Sequence, residues 1–289
     1  MEEIVYLNGE LIPRSEAKVP VYDQGFLYGY ALFETMRAYH GRIFLLDRHL
    51  KRLSEAAVML KLPVAGVDLA EACYRTLKAN DLKEARLRLT ISRGEMEAFP
   101  GDSAKVTPTV LVTARRYMPL PETIYQRGYT ALISSFTRCA YSPFSRLKTA
   151  NYLASIMARI EAEKAGIDEA LLLNDQGMVA EGSASNVFFV AAGEIITPPL
   201  VSGILPGITR GVVLGLAQTL GIRVGEREVT PKDLTGFGEA FVTNSVVEIM
   251  PLVSVRGKDG IVTIGSGKPG KTTQKLMAAY KEMIRRGRE

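Results

Sequence analysis

Cysteine and histidine are scarce in this chain of 289 residues, which has only Cys73, Cys139, His40 and His49. Two cysteines are too few for a disulfide scaffold, and no Cys-x-x-Cys or His-x-x-x-His spacing indicates a zinc site. Both histidines fall within the first 50 residues, which gives little support to a Ser-His-Asp or Cys-His nucleophile. We therefore expect no metal site, and we interpret His49 as a structural residue of the helix that contains DRHLKRL.

Several other features are missing. No apolar run approaches the roughly 18 residues that a membrane span needs, and the start MEEIVYLNGE is acidic where a signal peptide is basic. The net charge is +5, but the basic residues are scattered rather than clustered as in a nucleic-acid binder. We expect a cytoplasmic enzyme with no membrane or nucleic-acid partner, and a small anionic ligand remains compatible with the charge.

The remaining pattern predicts a mixed α+β protein of two lobes. Hydrophobic residues make up 47% of the chain, which is ordinary for globular proteins. Asn8-Gly9 predicts a hairpin, and helices are predicted in LLDRHLKRLSEAAVMLKL, with Asp47 as cap, and in VDLAEACYRTLKAN, with Asp68 near its start. Strands and helices do not alternate strictly. The prolines of YMPLPET predict an extended linker at 117–123, between an N-terminal domain (1–116) and a larger C-terminal domain (124–289) that contains Lys148.

Three local features could carry chemistry, although each also has a plain structural explanation. LPGITR (205–210) brings a Pro-Gly turn to a helix start, which fits either an ordinary junction or a phosphate-binding helix N-terminus. Lys148 in SRLKTANYL fits either a solvated capping residue or a Schiff-base lysine. Glu181 in EGSASNVFFV fits either a turn glutamate or a carboxylate directed at a ligand.

The motifs HLKRL, LKTANYL, EGSASNVFF, LPGITR and TNSVVEIMP occur in this order along nearly the whole chain. This series resembles the class IV aminotransferases, the fold type IV enzymes that use pyridoxal phosphate. The resemblance implies a two-lobed fold with the cofactor between the lobes, usually in a homodimer whose sites borrow residues from the partner.

The resemblance also implies roles for individual residues. Lys148 matches the lysine that holds the cofactor covalently and later shuttles protons, and Glu181 matches the acid that pairs with the pyridine nitrogen. Tyr152 matches a tyrosine that some members place near the phenolic oxygen of the cofactor. The matches to the phosphate ligands are Arg52, Ile208, Thr209 and Ser245.

Within the family, local features favour a 4-amino-4-deoxychorismate lyase over a branched-chain or D-amino acid aminotransferase. Lys148 precedes Asn151 by three residues, whereas branched-chain members usually have four. FETMR carries Thr35, which resembles a proton-relaying threonine of the lyases, where branched-chain members have glycine. No Arg-x-His follows SRG at 92–94, and TNS at 243–245 also favours the lyases. Phe33 and Arg37 are expected on the substrate side, and Arg37 is a candidate for binding a carboxylate of the substrate. The loop at 94–106 is expected to influence the range of substrates.

Overall fold

A computed structural model describes residues 2–64, 66–96 and 106–287. The chain divides into two compact units, and each is described by itself. The first comprises Met1–Met118 together with Leu147–Asn151, and the second comprises Pro119–Arg146 together with Tyr152–Arg288. The segment 94–106, where we expected determinants of substrate range, lies mostly outside the described residues.

The first unit is built on an antiparallel sheet, which has six strands among the described residues, in the order β2-β1-β6-β5-β3-β4. The strands are β1 (Ile4–Leu7), β2 (Glu10–Pro13), β3 (Ala31–Tyr39), β4 (Arg42–Ile43), β5 (Ala85–Ser92) and β6 (Thr109–Arg116). The predicted hairpin is confirmed, because β1 and β2 pair across Asn8 and Gly9, both of which have positive φ. Positive φ at both central residues is what a hairpin turn of this kind requires.

Two helices cover one face of this sheet, and a third is short: α1 (Gln24–Tyr28), α2 (Leu46–Met59) and α3 (Leu69–Ala79). Strand alternation sends Leu32 and Met36 to the covered face, where they join the core formed with α2 and α3. Asp68, predicted near the start of α3, is its N-cap, since its side chain accepts a hydrogen bond from the Glu71 amide. The predicted Asp47 cap is wrong, because α2 begins at Leu46 after a left-handed Leu45, so that Asp47 lies inside the first turn.

The lysine segment packs with the first unit, although it lies beyond the predicted linker. Residues 147–151 run antiparallel to the start of β3, with the Phe33 amide donating to the Lys148 carbonyl and the Ala150 amide to the Ala31 carbonyl. The extended linker predicted at 117–123 is wrong at its end, because α4 (Glu122–Arg127) begins after Pro121. Proline is well tolerated at the start of a helix, where its missing N–H group is not needed.

The second unit is built on a mixed sheet, which has nine strands among the described residues. The order is β12-β11-β10-β13-β14-β7-β8-β9, and β15 also pairs with β14. The strands are β7 (Tyr129–Arg138), β8 (Glu169–Asn174), β9 (Val179–Gly182), β10 (Asn186–Ala191), β11 (Glu194–Thr197), β12 (Arg223–Glu226), β13 (Glu239–Asn244), β14 (Glu248–Gly257) and β15 (Gly260–Thr263). Parallel and antiparallel pairs together confirm the α+β class.

Two helices of this unit connect parallel strands, and a third closes the chain. These helices are α5 (Leu153–Lys164), α6 (Ile208–Thr219) and α7 (Lys271–Arg285). Parallel neighbours need a crossover connection, which α5 supplies between β7 and β8 and α6 between β11 and β12. Helix α7 packs on α6 and on β13 and β14. Arg210, in the first turn of α6, donates to the carbonyl of Pro198, the residue that follows β11.

Candidate active site

The residues predicted for the site fall into the two units. The first unit contains Phe33, Thr35, Arg37, Arg52 and Lys148, and the second contains Tyr152, Glu181, Ile208, Thr209 and Ser245.

Lys148 and Phe33 are brought together by backbone pairing. The hydrogen bond from the Phe33 amide to the Lys148 carbonyl, 2.9 Å long, fixes the register of the two segments. It leaves Lys148 Nζ 4.6 Å from the centroid of the Phe33 ring. Strand alternation sends Phe33 to the sheet face opposite the helices. The lysine therefore lies over an aromatic side chain on that face.

Arg52 is held by a carboxylate that our sequence analysis missed. Glu34 accepts Arg52 Nε at 2.8 Å and Nη2 at 2.6 Å, and His49 Nδ1 lies 2.7 Å from the same carboxylate. His49 and Arg52 are three residues apart on α2, so they share one helix face. The only signal in the sequence was the alternation in FETMR, which turns Glu34 away from Phe33 and Thr35.

The ionisation states of Glu34 and His49 follow from their burial and their contacts. Burial alone would raise the pKa of Glu34, but the Arg52 guanidinium and the hydrogen bonds from His49 and Arg52 lower it to about 2. Burial lowers the pKa of His49. A neutral His49 ring must then donate from Nδ1 to the ionised Glu34. The cluster is an ion pair with a neutral imidazole, the arrangement that a structural His49 would have.

Arginines line the sheet face that carries Phe33. Thr35 pairs across the strands with Arg88, and Arg37 pairs with Arg86. Arg88 Cζ lies 3.8 Å from the Phe33 ring centroid. Arg37 is buried, with its Cζ 4.4 Å from each of two tyrosine rings, those of Tyr39 and Tyr117. Arg88 was missed in the sequence analysis, although the alternation of arginine and leucine in ARLRLT could have placed Arg86 and Arg88 on one face.

In the second unit, Glu181 lies at the end of β9, as predicted, and is buried among donors. Its Oε1 is 3.0 Å from Arg138 Nε, and its Oε2 accepts Asn186 Nδ2 at 3.2 Å and the Leu205 amide at 3.0 Å. Arg138 and Asn186 were not singled out in the sequence analysis, although Asn186 lies within the motif EGSASN. The carboxylate is therefore held in one orientation and balanced by a guanidinium.

Tyr152 and the turn after Glu181 form a second buried group. Tyr152 Oη donates to the Ser183 carbonyl at 3.0 Å, and Glu169 accepts the hydroxyls of Ser183 and Ser185. Burial and the nearby charges of Glu181 and Glu169 raise the pKa of Tyr152 to about 12. Tyr152 is therefore a neutral hydrogen-bond donor at neutral pH.

The N-terminus of α6 offers donors for an anion. Its N-cap is Gly207, and its first turn, which includes Ile208 and Thr209, holds no acidic residue. The first amides of a helix have no partner within the helix and lie at its positive end. Ser245 lies in the turn between β13 and β14, two residues after Thr243, whose buried Oγ1 has no hydrogen-bond partner among the described residues.

The described residues contain no group of three or more His, Cys, Asp or Glu side chains that could hold a metal ion. None of the helices in the described ranges is both long enough and apolar enough to cross a membrane.

Comparison with known proteins gives consistent matches over nearly the whole chain. The sequence profile described as amino-transferase class IV matches residues 31–255. A putative branched-chain-amino-acid aminotransferase of Methanocaldococcus jannaschii is 36% identical over 284 residues, covering 96% of each chain. An aminodeoxychorismate lyase of Bacillus subtilis is 33% identical, covering 98% of this chain and 95% of the relative. The T.th. branched-chain amino acid aminotransferase, solved with pyridoxamine 5'-phosphate, superimposes with a TM-score of 0.89 at 32% identity, covering 98% of this chain and 94% of that structure.

Proposed function

The chain belongs to the class IV aminotransferase family, whose enzymes use pyridoxal phosphate, and on this premise we propose that it is a 4-amino-4-deoxychorismate lyase. Such an enzyme releases pyruvate from its substrate and leaves 4-aminobenzoate, a step of folate biosynthesis. The observation that carries this choice is the sheet face on which Thr35 lies next to Arg88, close to Phe33 and Lys148.

The donor set fits pyridoxal phosphate. The cofactor needs an amine for its aldehyde, an acid for its ring nitrogen and several donors for its phosphate. Lys148 supplies the amine and Glu181 the acid. Amides at the start of α6, the Ser245 hydroxyl and the Arg52 guanidinium are suited to the phosphate. The buried Thr243 hydroxyl, which has no partner among the described residues, adds a donor beside Ser245.

The division of roles follows from the chemistry of these side chains. Pyridoxal phosphate, when bound, supplies an electron sink for the substrate carbon next to the amino group. Lys148 would hold the cofactor, and its amine, once displaced by the substrate, would take the proton from that carbon. Glu181, balanced by Arg138, would keep the proton on the ring nitrogen. Tyr152, a neutral phenol at neutral pH, would donate a hydrogen bond near the phenolic oxygen.

Substrate recognition is assigned to the arginine face. Aminodeoxychorismate carries two carboxylates, and Arg37, Arg86 and Arg88 lie on the same side of the sheet. Charge-assisted hydrogen bonds from guanidinium groups are the strongest match for carboxylates. Thr35 would relay the proton that the departing enolpyruvyl group takes up before pyruvate leaves, and Phe33 would contact the substrate ring.

An aminotransferase is the second candidate. The match to the putative branched-chain aminotransferase favours it, because that relative is 36% identical over 96% of both chains. The same Lys148, Glu181 and Arg52 would serve transfer of an amino group from a branched-chain or D-amino acid to a 2-oxo acid. The arginine face suits a molecule with two carboxylates, which describes aminodeoxychorismate and also the acceptor 2-oxoglutarate, so a product assay is needed to separate the two activities.

We also propose a cytoplasmic homodimer. Three side chains in and before α1 are strongly exposed apolar groups in the single chain, namely Val21, Tyr22 and Phe26, the last 76% exposed. Apolar clusters of this kind commonly mark protein interfaces. Cys73 and Cys139 are both free thiols, in keeping with a reducing compartment.

A product assay separates the two activities. The purified enzyme loaded with pyridoxal phosphate is given aminodeoxychorismate, and pyruvate and 4-aminobenzoate are measured together. The lyase proposal predicts equal amounts of both products. Absence of both products, combined with rapid amino transfer from L- or D-amino acids to 2-oxoglutarate, would assign the chain to the aminotransferases.

A further inference from the structure

Two side chains of the second unit each contact both Glu181 and the segment that leads into α6. Asn186 Nδ2 donates to Glu181 Oε2 at 3.2 Å and to the Leu205 carbonyl at 2.9 Å. Arg138 Nε lies 3.0 Å from Glu181 Oε1 and donates to the Gly203 carbonyl at 2.9 Å. The Leu205 amide adds a direct hydrogen bond to Glu181 Oε2. The carboxylate and the residues 203–205 are therefore parts of one hydrogen-bonded unit.

Two glycines, Gly203 and Gly207, allow the backbone of this segment to lie very close to its neighbours. A Cβ atom on Gly207, the N-cap of α6, would lie 2.0 Å from Asn186 Oδ1. Gly203 has φ of +81°, and a Cβ atom there would lie 2.8 Å from the Ala140 Cα. Only glycine allows the backbone to approach this closely. The start of α6 thus packs directly against Asn186, which is itself buried.

We propose that Asn186 and Arg138 are positioning residues that couple the two ends of the cofactor site. They tie the carboxylate that faces the ring nitrogen to the helix N-terminus that faces the phosphate. Ligand at one end orders the shared network, so that ligand at the other end binds more tightly. This inference rests on the proposed function of the site, and it adds an energetic link between groups that our sequence analysis treated separately.

Electrostatics without such a network has the opposite consequence. Glu181 is negative, so its neutralisation should strengthen binding of an anion to nearby donors. In the coupled network, Glu181→Gln instead weakens phosphate binding, because a new amide N–H group meets the donors of Arg138, Asn186 or Leu205. Asn186→Leu weakens it as well, because the Leu205 carbonyl and the Glu181 carboxylate each lose a donor.

The experiment uses the full-length protein freed of cofactor, with inorganic phosphate as the probe of the helix end and pyridoxal, which lacks phosphate, as the probe of the ring end. Calorimetry and absorbance give the Kd of each probe alone and in the presence of the other. The wild-type protein is expected to bind pyridoxal about fivefold more tightly when phosphate is present, and by linkage the reverse holds. In Asn186→Leu, both affinities are expected to fall about tenfold and the mutual enhancement to disappear.

Asn80→Leu is the matched control. Asn80 donates to the carbonyls of Ile4 and Thr76 in the first unit, so the substitution removes similar hydrogen bonds away from the proposed site. It should leave the enhancement of pyridoxal binding by phosphate unchanged. Equal loss of enhancement in both variants would overturn the proposal by revealing a general effect of destabilisation. So would unchanged phosphate affinity in both Asn186→Leu and Glu181→Gln.

Hydrogen exchange keeps the proposal testable if a variant folds poorly or if the cofactor assignment fails. Exchange at the Leu205 amide is expected to be at least about tenfold faster in folded Glu181→Gln than in the wild-type protein. Unchanged exchange there would overturn the network itself. Absence of lysine-bound pyridoxal phosphate in the wild-type protein would instead contradict the proposed function, whatever the exchange rates are.

Discussion

Replacement of Glu34 by glutamine tests whether the buried ion pair stabilises the first unit. Glu34 is 1% exposed and is bound by Arg52 and His49, and its pKa of about 2 replaces an ordinary value of 4.5. That difference corresponds to about 3 kcal/mol of folding free energy at pH 7. Glutamine keeps the shape of the side chain but removes the charge, which leaves Arg52 with a weaker acceptor. Loss of one partner of a buried pair typically costs about 3–5 kcal/mol.

The pH dependence gives the sign of this effect. The carboxyl pKa is lower in the folded state, so its contribution is fully present above about pH 4.5 and is lost as the pH falls towards about 2. His49 acts in the same direction from a higher pH, because its pKa is lowered by burial and the unfolded state therefore binds its proton below about 6.5. Urea unfolding of the cofactor-free protein, followed by circular dichroism, should show Glu34→Gln about 3 kcal/mol less stable at pH 7 and closer to the wild type as the pH falls below about 4.5.

Glu84→Gln is the control, because Glu84 is a partly exposed carboxylate of the same unit. It should change stability by less than about 0.5 kcal/mol. Equal stability of Glu34→Gln and the wild-type protein at pH 7 would refute the assignment of a stabilising buried pair.

Three further predictions concern the substrate, the thiols and the assembly. Arg88→Met should raise the KM for a dicarboxylate substrate about tenfold or more, whereas Arg115→Met should not, because Arg115 is exposed and paired with Glu3; steady-state kinetics decides this. A disulfide reagent should modify Cys139 rapidly in the folded protein and Cys73 only on unfolding, because burial raises the pKa of Cys73 to about 12; equal rates would contradict the buried placement. Phe26→Ser should shift the protein from dimer to monomer in light scattering, whereas Tyr74→Ser on α3 should not.

Local patterns were sufficient for most of the elements. The Asn8-Gly9 turn and the start of α3 near Asp68 depend on short-range conformational preferences, and both were predicted correctly. The Asp47 cap was predicted wrongly because Leu45, a residue that seldom adopts positive φ, sets the actual start of α2. The end of the linker was predicted wrongly because a proline can precede a helix as well as break one.

Contacts between residues far apart in the sequence could not be predicted from local patterns. Lys148 packs with the first unit through hydrogen bonds to β3, more than a hundred residues earlier, and no local pattern encodes that register. Glu34, Arg138 and Asn186 escaped notice because each is an ordinary polar residue until its partner from another element is known. The motif resemblance identified the residues expected to touch the cofactor. The residues that hold them in place could be recognised only from the three-dimensional structure.

Chemical trapping tests whether Lys148 carries the cofactor. The protein is loaded with pyridoxal phosphate, reduced with borohydride, digested and mapped by mass spectrometry. We expect the phosphopyridoxyl group on the peptide that contains Lys148 and nowhere else, and Lys148→Ala should lose both this label and the visible absorbance of the bound cofactor. Labelling of a different lysine, or of none in the wild-type protein, would show that Lys148 does not carry the cofactor.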